Sequence, residues 1–286
     1  MANLKEIRNR IASVSSTMQI TSAMKMVSAA KLKKAQDAIT AMRPYANKLT
    51  ELIQGLSSNF EGDGMSAYAD ERKVNKVLIV AITSNRGLCG AFNSNIIKEC
   101  SAMIEGEFSA QQADLITIGK KARDLLEKKF SIVEDHSQVY EDLSFQNVAQ
   151  IAENLMRYYS EWTYDKILVV YNRFKNAATQ IIMNEQFLPI MPMTEQKESA
   201  ADYIFEPSSE EIVVHLIPKS LKTQLYKAVR DSYASEHGAR MTAMHKATDN
   251  ASELKEELTL NYNKARQAAI TNEILEIVGG AEALNN

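Results

Sequence analysis

The stretch KEIRNRIASVSSTMQITSAMKMVSAAKLKKAQ, Lys5–Gln36, contains neither proline nor glycine, and its apolar residues return in alternating steps of three and four. Extended at both ends, the stripe reads Leu4, Ile7, Ile11, Val14, Met18, Thr21, Lys25, Ser28, Leu32, Ala35, Ile39 and Met42, with a more polar break from Thr21 to Ser28. That spacing is a coiled-coil seam. Residues 2–43 lack helix breakers altogether, so a first helix of about 60 to 80 Å is expected at the helical rise of 1.5 Å per residue.

The other end of the chain matches it. From Lys219 onward there is no proline, and only Gly238, Gly279 and Gly280 interrupt the side chains, which predicts a second rod of about 90 Å from Lys219 to Val278. Met244, Ala247, Ala251, Leu254, Leu258, Ala265, Ala268 and Leu275 form its expected seam, with breaks at Asn261 and Asn272. No other segment is long enough to partner either helix, so the two ends are expected to pair as an antiparallel, left-handed coiled coil. The C-terminal helix reads as the longer one, with a protruding tip.

Between the rods the pattern changes to α/β. Lys76–Thr83 (KVLIVAIT), Asp114–Gly119 (DLITIG) and Lys166–Tyr171 (KILVVY) read as strands, with another over Thr179–Phe187. They alternate with helical stretches around Asn95–Glu107, Lys120–Lys129 and Gln146–Trp162, the order of a parallel, Rossmann-like sheet with helices on its faces. The expected organisation is an N-terminal coiled-coil helix over 1–54, an α/β domain over 75–190 and a C-terminal coiled-coil helix over 209–286. The segments 55–74 and 191–209 read as connections.

The 286 residues carry a net charge of −3, which hides an asymmetry. Residues 1–54 carry about +6, residues 55–218 about −9 and the remainder about 0, counting Lys and Arg against Asp and Glu. A basic helix of this kind suits nucleic acid, an anionic lipid surface or an acidic protein partner, and charge alone does not choose. No apolar run reaches membrane-spanning length, and the start becomes charged at once, without the apolar core of a signal peptide; the expectation is a protein acting where it is made. Cys89 and Cys100 lack metal-ligand spacing and read as small buried hydrophobes.

Motifs for chemistry are weak throughout. The turn Ser84–Asn93 holds Gly87 and Gly90 three apart after a strand, which can expose N–H groups to a phosphate, but it lacks G-x-G-x-x-G. Gly119–Lys120 fails as a P-loop, since Asp114 stands where the first glycine belongs and Lys121 where Ser or Thr belongs. His136, His215, His237 and His245 are scattered, with no metal-binding pair. Glu210–Glu211 and Glu256–Glu257 read as solvated helix faces, and no G-x-S-x-G elbow occurs. The methionines Met18, Met24, Met26, Met241 and Met244 fit either flexible packing in a coiled coil or a smooth surface sliding against changing partners.

Several stretches together carry a resemblance: Lys5–Gln36 with RPYA (Arg43–Ala46), SEHGARMTAMHKATDNA (Ser235–Ala251), YNKARQAAITNEILEIVGGA (Tyr262–Ala281) and SNRGLCGAFN (Ser84–Asn93). In these the chain resembles the gamma-subunit family of F-type rotary ATP synthases. The resemblance implies a non-catalytic central-stalk rotor: a foot beside the membrane ring of c subunits and a shaft inside the alpha-beta hexamer. The rotor would transmit torque that couples proton flow to ATP synthesis, and would regulate ATPase activity and proton flow.

By the same resemblance, Met24 and Lys25 face an acidic loop of a beta subunit, and Arg266, Gln267, Thr271 and Glu273 make the C-terminal beta contacts. Ile274, Leu275, Ile277 and Val278 belong to the tip held in the hexamer's apolar bearing, within a match running to Ala281. Arg86, Gly87, Leu88, Cys89 and Gly90, with Tyr203, Glu206 and Pro207, match foot contacts to the epsilon subunit and the c-ring. Asn85, Ala91 and Phe92 depart from the family's usual residues in that loop. One copy per complex is implied, peripheral to the cytoplasmic face of a bacterial inner membrane, with no inserted segment, no cofactor, no metal and no nucleic acid. Two other readings remain at this level: an enzyme with a degenerate dinucleotide site whose helices only dimerise, and a basic coiled-coil adaptor for nucleic acid.

Overall fold

The computed structural model describes residues 4–57, 68, 72–190 and 209–285. Helix α1 spans Leu4–Ser57 and the last helix, α5, spans Ser209–Asn285. Pro44 lies inside α1 and Pro218 inside α5. Each removes one backbone donor, a cost that packing along a long helix can offset. By their contacts the residues divide into two compact units, 1–28 with 241–286, and 29–240.

In the first unit, α1 and α5 run antiparallel. Arg8 Nη2 donates to Tyr262 Oη at 2.7 Å, Thr21 Oγ1 lies 2.8 Å from Thr248 Oγ1, and Lys25 Nζ lies 3.4 Å from His245 Nδ1, so partner numbers fall as α1 advances. The α1 seam is placed as its spacing predicts, each of its residues from Leu4 to Ser28 being buried or half-buried. On α5, Met244, Ala247, Ala251, Leu258 and Ala265 are buried or half-buried as expected, but Leu254 is 45% exposed, Ala268 and Leu275 are exposed, and Thr248, Ser252, Lys255 and Tyr262 are half-buried beside the seam. The apolar bias of Leu254 misled the reading because long polar stems such as Lys255 also line a seam. From Arg266 to Ala281 every residue is exposed, as an overhanging tip requires.

The second unit is built on a five-stranded sheet. Its strands are β1 (Lys76–Ile82), β2 (Gln112–Ile118), β3 (Ile132–Asp135), β4 (Lys166–Phe174) and β5 (Gln180–Leu188), in the order β3-β2-β1-β4-β5. Strands β1 to β4 pair in parallel, but β5 runs antiparallel to β4. The parallel part follows the expected order, and the further strand expected over 179–187 turns back antiparallel, because only five residues separate β4 from β5, enough for a hairpin and too few for a crossover. Strand β3 was not foreseen; its four residues alternate half-buried and exposed at the sheet edge.

Between the strands lie α2 (Phe92–Ala102), which runs on into a π-turn over Met103–Glu107, α3 (Lys120–Leu126) and α4 (Phe145–Ser160). Leu78, Val80, Ile82, Ile116 and Ile118 face α4 and the Ile217–Val229 part of α5 in one core. Val77, Ile79, Ala81 and Leu115 face Ile96 and Cys100 of α2 and Ala122 and Leu126 of α3 in the other. Burial on both faces explains why β1 is a continuous apolar run without alternation.

Candidate functional site

The sheet order reverses at β1, which has β2 on one side and β4 on the other, and doubly wound folds bind ligands beyond the carboxyl ends of the strands at such a point. Here that crevice is filled by the chain itself. Asn172 of β4 donates through Nδ2 to Phe92 O at 3.1 Å, and Ser235 Oγ of α5 donates to Asn172 O at 2.9 Å. Gly238 lets α5 approach the hairpin, since a Cβ there would meet Ala177 Cα at 3.2 Å.

The turn after β1 is clamped rather than open. Ser84 N donates to Asn93 Oδ1 at 2.9 Å, Ser84 Oγ to Arg86 O at 2.6 Å and Asn85 Nδ2 to Ser137 O at 2.9 Å. From α5, Arg240 donates through Nη2 to Arg86 O at 3.0 Å and through Nε to Gly87 O at 3.2 Å. Cys89 packs with Phe92 and Ala239. These ties hold Leu88 in the left-handed region at φ 61, a conformation that costs a non-glycine residue about 1–2 kcal/mol, with Gly90 similar at φ 60. As a result Leu88 stands 64% exposed beside the exposed Arg86.

The start of α3, the second phosphate candidate, is occupied as well. Lys120 N donates to Asn85 Oδ1 at 3.0 Å, Lys121 N to Ser84 O at 3.1 Å and Ala122 N to Thr83 Oγ1 at 2.9 Å. These three donors are engaged by the protein's own acceptors, so this helix start offers a phosphate none of them.

Electrostatics under the clamp centre on Arg240. Its Nη1 lies 2.7 Å from Glu236 Oε1, one helical turn away, and both side chains are only 8% exposed. Burial raises the Glu236 pKa, and Arg240 partly offsets it. His237 receives Arg240 Nη1 at 3.3 Å on Nδ1; burial first, then the Arg240 and Lys31 charges, push its pKa down to about 3, so it is neutral at pH 7. Both residues lie in the Ser235–Ala251 stretch, where the Glu-x-x-x-Arg spacing at 236 and 240 is the sequence signal for an ion pair on one helix face.

In the first unit, Met24 and Lys25 are half-buried, flanked by exposed Ile20, Met26 and Val27 on α1. Sequence reasoning missed Ile20 and Val27, which with Met24 fall at i, i+4 and i+7 on one helix face. Lys25 adjoins His245, which itself lies 3.2 Å from Asp249. Arg266, Gln267, Thr271 and Glu273 are exposed on the tip. So are Ile270, Ile274, Leu275, Ile277 and Val278, an apolar surface on a helix past the end of its partner. Tyr203, Glu206 and Pro207 lie outside the described residues. Among the described residues no group of His, Cys, Asp and Glu is arranged for a metal, and no helix is long and apolar enough to cross a membrane.

Comparison with known proteins gives a consistent result. The family profile described as ATP synthase matches residues 3–284. An ATP synthase gamma chain of Flavobacterium johnsoniae is 68% identical over 286 residues, covering all of both chains. One from a Geobacter species is 46% identical over 288 residues, covering 99% of each. Among solved structures, a chain of the Euglena gracilis mitochondrial ATP synthase, OSCP/F1/c-ring in rotational state 3, has TM-score 0.69 at 22% identity, covering 98% of this chain and 94% of its own.

Proposed function

The chain belongs to the gamma-chain family of ATP synthase, whose role is torque transmission in the central stalk, and from that premise we propose how its surfaces divide the work. It is a subunit of the complex, and in our reading it catalyses nothing itself: the nucleotide sites belong to the alpha-beta hexamer. The α5 tip seats in an apolar bearing of that hexamer, the Met24–Lys25 region meets an acidic beta loop, and the Arg86–Gly90 loop meets the epsilon subunit and the c-ring. The three segments 1–54, 75–190 and 209–286 act as shaft, foot and shaft. The complex holds the rotor, without an inserted segment of its own, at the cytoplasmic face of a bacterial inner membrane.

The observation that carries this reading is the tip itself: Ile270, Ile274, Leu275, Ile277 and Val278 are exposed on a helix that has outrun its partner. Fully burying one such side chain is worth about 1.5–3 kcal/mol, so a tip of this composition gains by entering a protein socket. Few charges there means few ion pairs to break on each turn. Where α1 is basic, exposed pairs worth about 0–1 kcal/mol suit contacts that form and release as the shaft changes orientation. The enzyme alternative is disfavoured by the filled crevice at the sheet's switch point and the engaged donors of α3.

The test is assembly of the full chain with alpha and beta subunits, assayed for stoichiometry, ATP hydrolysis and rotation. A complex that hydrolyses ATP while turning the chain is expected, and a variant ending before Ile274 should be held more loosely. Failure to form a stoichiometric complex overturns the rotor reading; a truncated variant held as tightly as the full chain overturns the bearing alone.

A further inference from the structure

The RPYA stretch, Arg43–Ala46, places a charged side chain where three elements of the second unit meet. Arg43 of α1 donates through Nη2 to Asp231 Oδ1 of α5 at 3.2 Å and to Phe174 O, at the end of β4, at 3.3 Å. The Asp231 side chain is 1% exposed, and its Oδ2 makes no hydrogen bond. Burial raises the Asp231 pKa, and Arg43 acts most strongly against that rise. The charges of Lys227 and Glu185 act on Asp231 in opposite senses, and Tyr171 Oη donates to Glu185 Oε1 at 2.6 Å.

The sheet reaches the two helices differently. Its two apolar cores take in the Ile217–Val229 part of α5 and, among the described residues, no side chain of α1. Ser235 Oγ and the close approach at Gly238 fasten α5 to the β4–β5 hairpin again. Arg43 brings α1 into that junction by bonding to α5 and to the hairpin at once. Apolar burial is non-directional, so packed side chains resist separation better than sliding. A charge-assisted bond from a planar guanidinium fixes direction as well. A buried ion pair is weak grounds for stability, since apolar groups of similar volume often do as well or better. What this pair adds is resistance to slip.

We propose that Arg43, acting through Asp231, is a positioning residue for torque transmission: it locks α1 to α5 and to the β4–β5 hairpin, so that both helices take up the twist between sheet and shaft. The inference rests on the chain's role as a rotor.

The test uses the full chain assembled with alpha and beta subunits, with a bead attached through Ser109→Cys, an exposed turn position on the sheet domain; Cys89 and Cys100 are buried. With hydrolysis halted, the bead's mean-square angular excursion reports the twist stiffness. If two helices share the twist, releasing one about halves the stiffness, so Arg43→Gln should widen the excursion toward about twofold. Arg43→Lys retains the charge, loses the fork and should recover part of the stiffness. Arg43→Met combined with Asp231→Leu puts apolar groups in place of the pair. That double variant should keep the urea midpoint and still widen the excursion, which separates a lock from a contribution to stability alone. A wild-type excursion in Arg43→Gln or in the double variant overturns the proposal and leaves the rotor reading standing. A wild-type chain that forms no complex, or whose bead never turns under ATP, overturns both.

Discussion

Replacing Arg240 with alanine tests the claim that α5 holds the loop after β1. The guanidinium is 8% exposed, pairs with an equally buried Glu236 at 2.7 Å, and donates to the carbonyls of Arg86 and Gly87. Removing one partner of a buried pair typically costs about 3–5 kcal/mol, because the remaining charge is left uncompensated. Two charge-assisted hydrogen bonds are lost as well, though water reaches the exposed loop and recovers part of them. A loss of about 3–5 kcal/mol at pH 7 is therefore expected in urea unfolding of the full chain. Protonation of Glu236 limits the cost. Its pKa is raised by burial in the wild type and must rise further once Arg240 is gone. A carboxyl whose folded pKa exceeds its unfolded value stabilises most below the unfolded pKa and loses that contribution as pH rises through the folded one. The deficit of the variant should thus shrink toward pH 4.5 and widen above neutrality. Arg240→Lys keeps the charge without the fork and should fall between. A deficit under about 1 kcal/mol at pH 7, or one independent of pH, would refute the clamp.

Gly119→Ala should destabilise by on the order of 3 kcal/mol or more in urea unfolding, because its Cβ would sit 2.2 Å from Thr83 O at φ 118; an unchanged midpoint contradicts that packing. His237 has a folded pKa lowered to about 3, so its contribution is complete above the unfolded value near 6.5 and is lost as pH falls toward 3, by up to about 5 kcal/mol. His237→Gln should flatten that acid limb in stability measured against pH, and an identical limb in both proteins would count against a neutral buried ring. Met24→Lys should impair coupling between ion pumping and hydrolysis in the assembled complex by adding a cation opposite the acidic beta loop we propose there, and unchanged coupling would remove Met24 from that contact.

Much of the architecture was legible because it is periodic. The α1 seam from Leu4 to Met42 is buried or half-buried at every position read from the three-four spacing. Strands β1, β2 and β4 were legible as β-branched runs, since burial on both faces demands them. The α5 phase was harder: alanine and polar residues dilute its stripe, and Leu254 looks like a seam residue while Lys255 covers the seam with its stem. The candidate sites divide the same way. Leu88 and the tip residues are exposed, whereas Glu236 and Arg240 offered only an i,i+4 spacing, which signals an ion pair but not that it closes on the loop after β1.

By itself the sequence determined two long helices and an intervening α/β sheet, because proline and glycine spacing and apolar periodicity act over a few residues. Only the tertiary structure decided that β5 turns back antiparallel, that β3 adds an edge, and that α5 closes the crevice where related sheets hold nucleotides. Each of those depends on partners distant in the chain: Ser235 meets Asn172, and Arg240 meets Gly87. Local propensity carries no information about which distant group will satisfy a buried donor, and it is that choice which fills the crevice at the sheet's switch point.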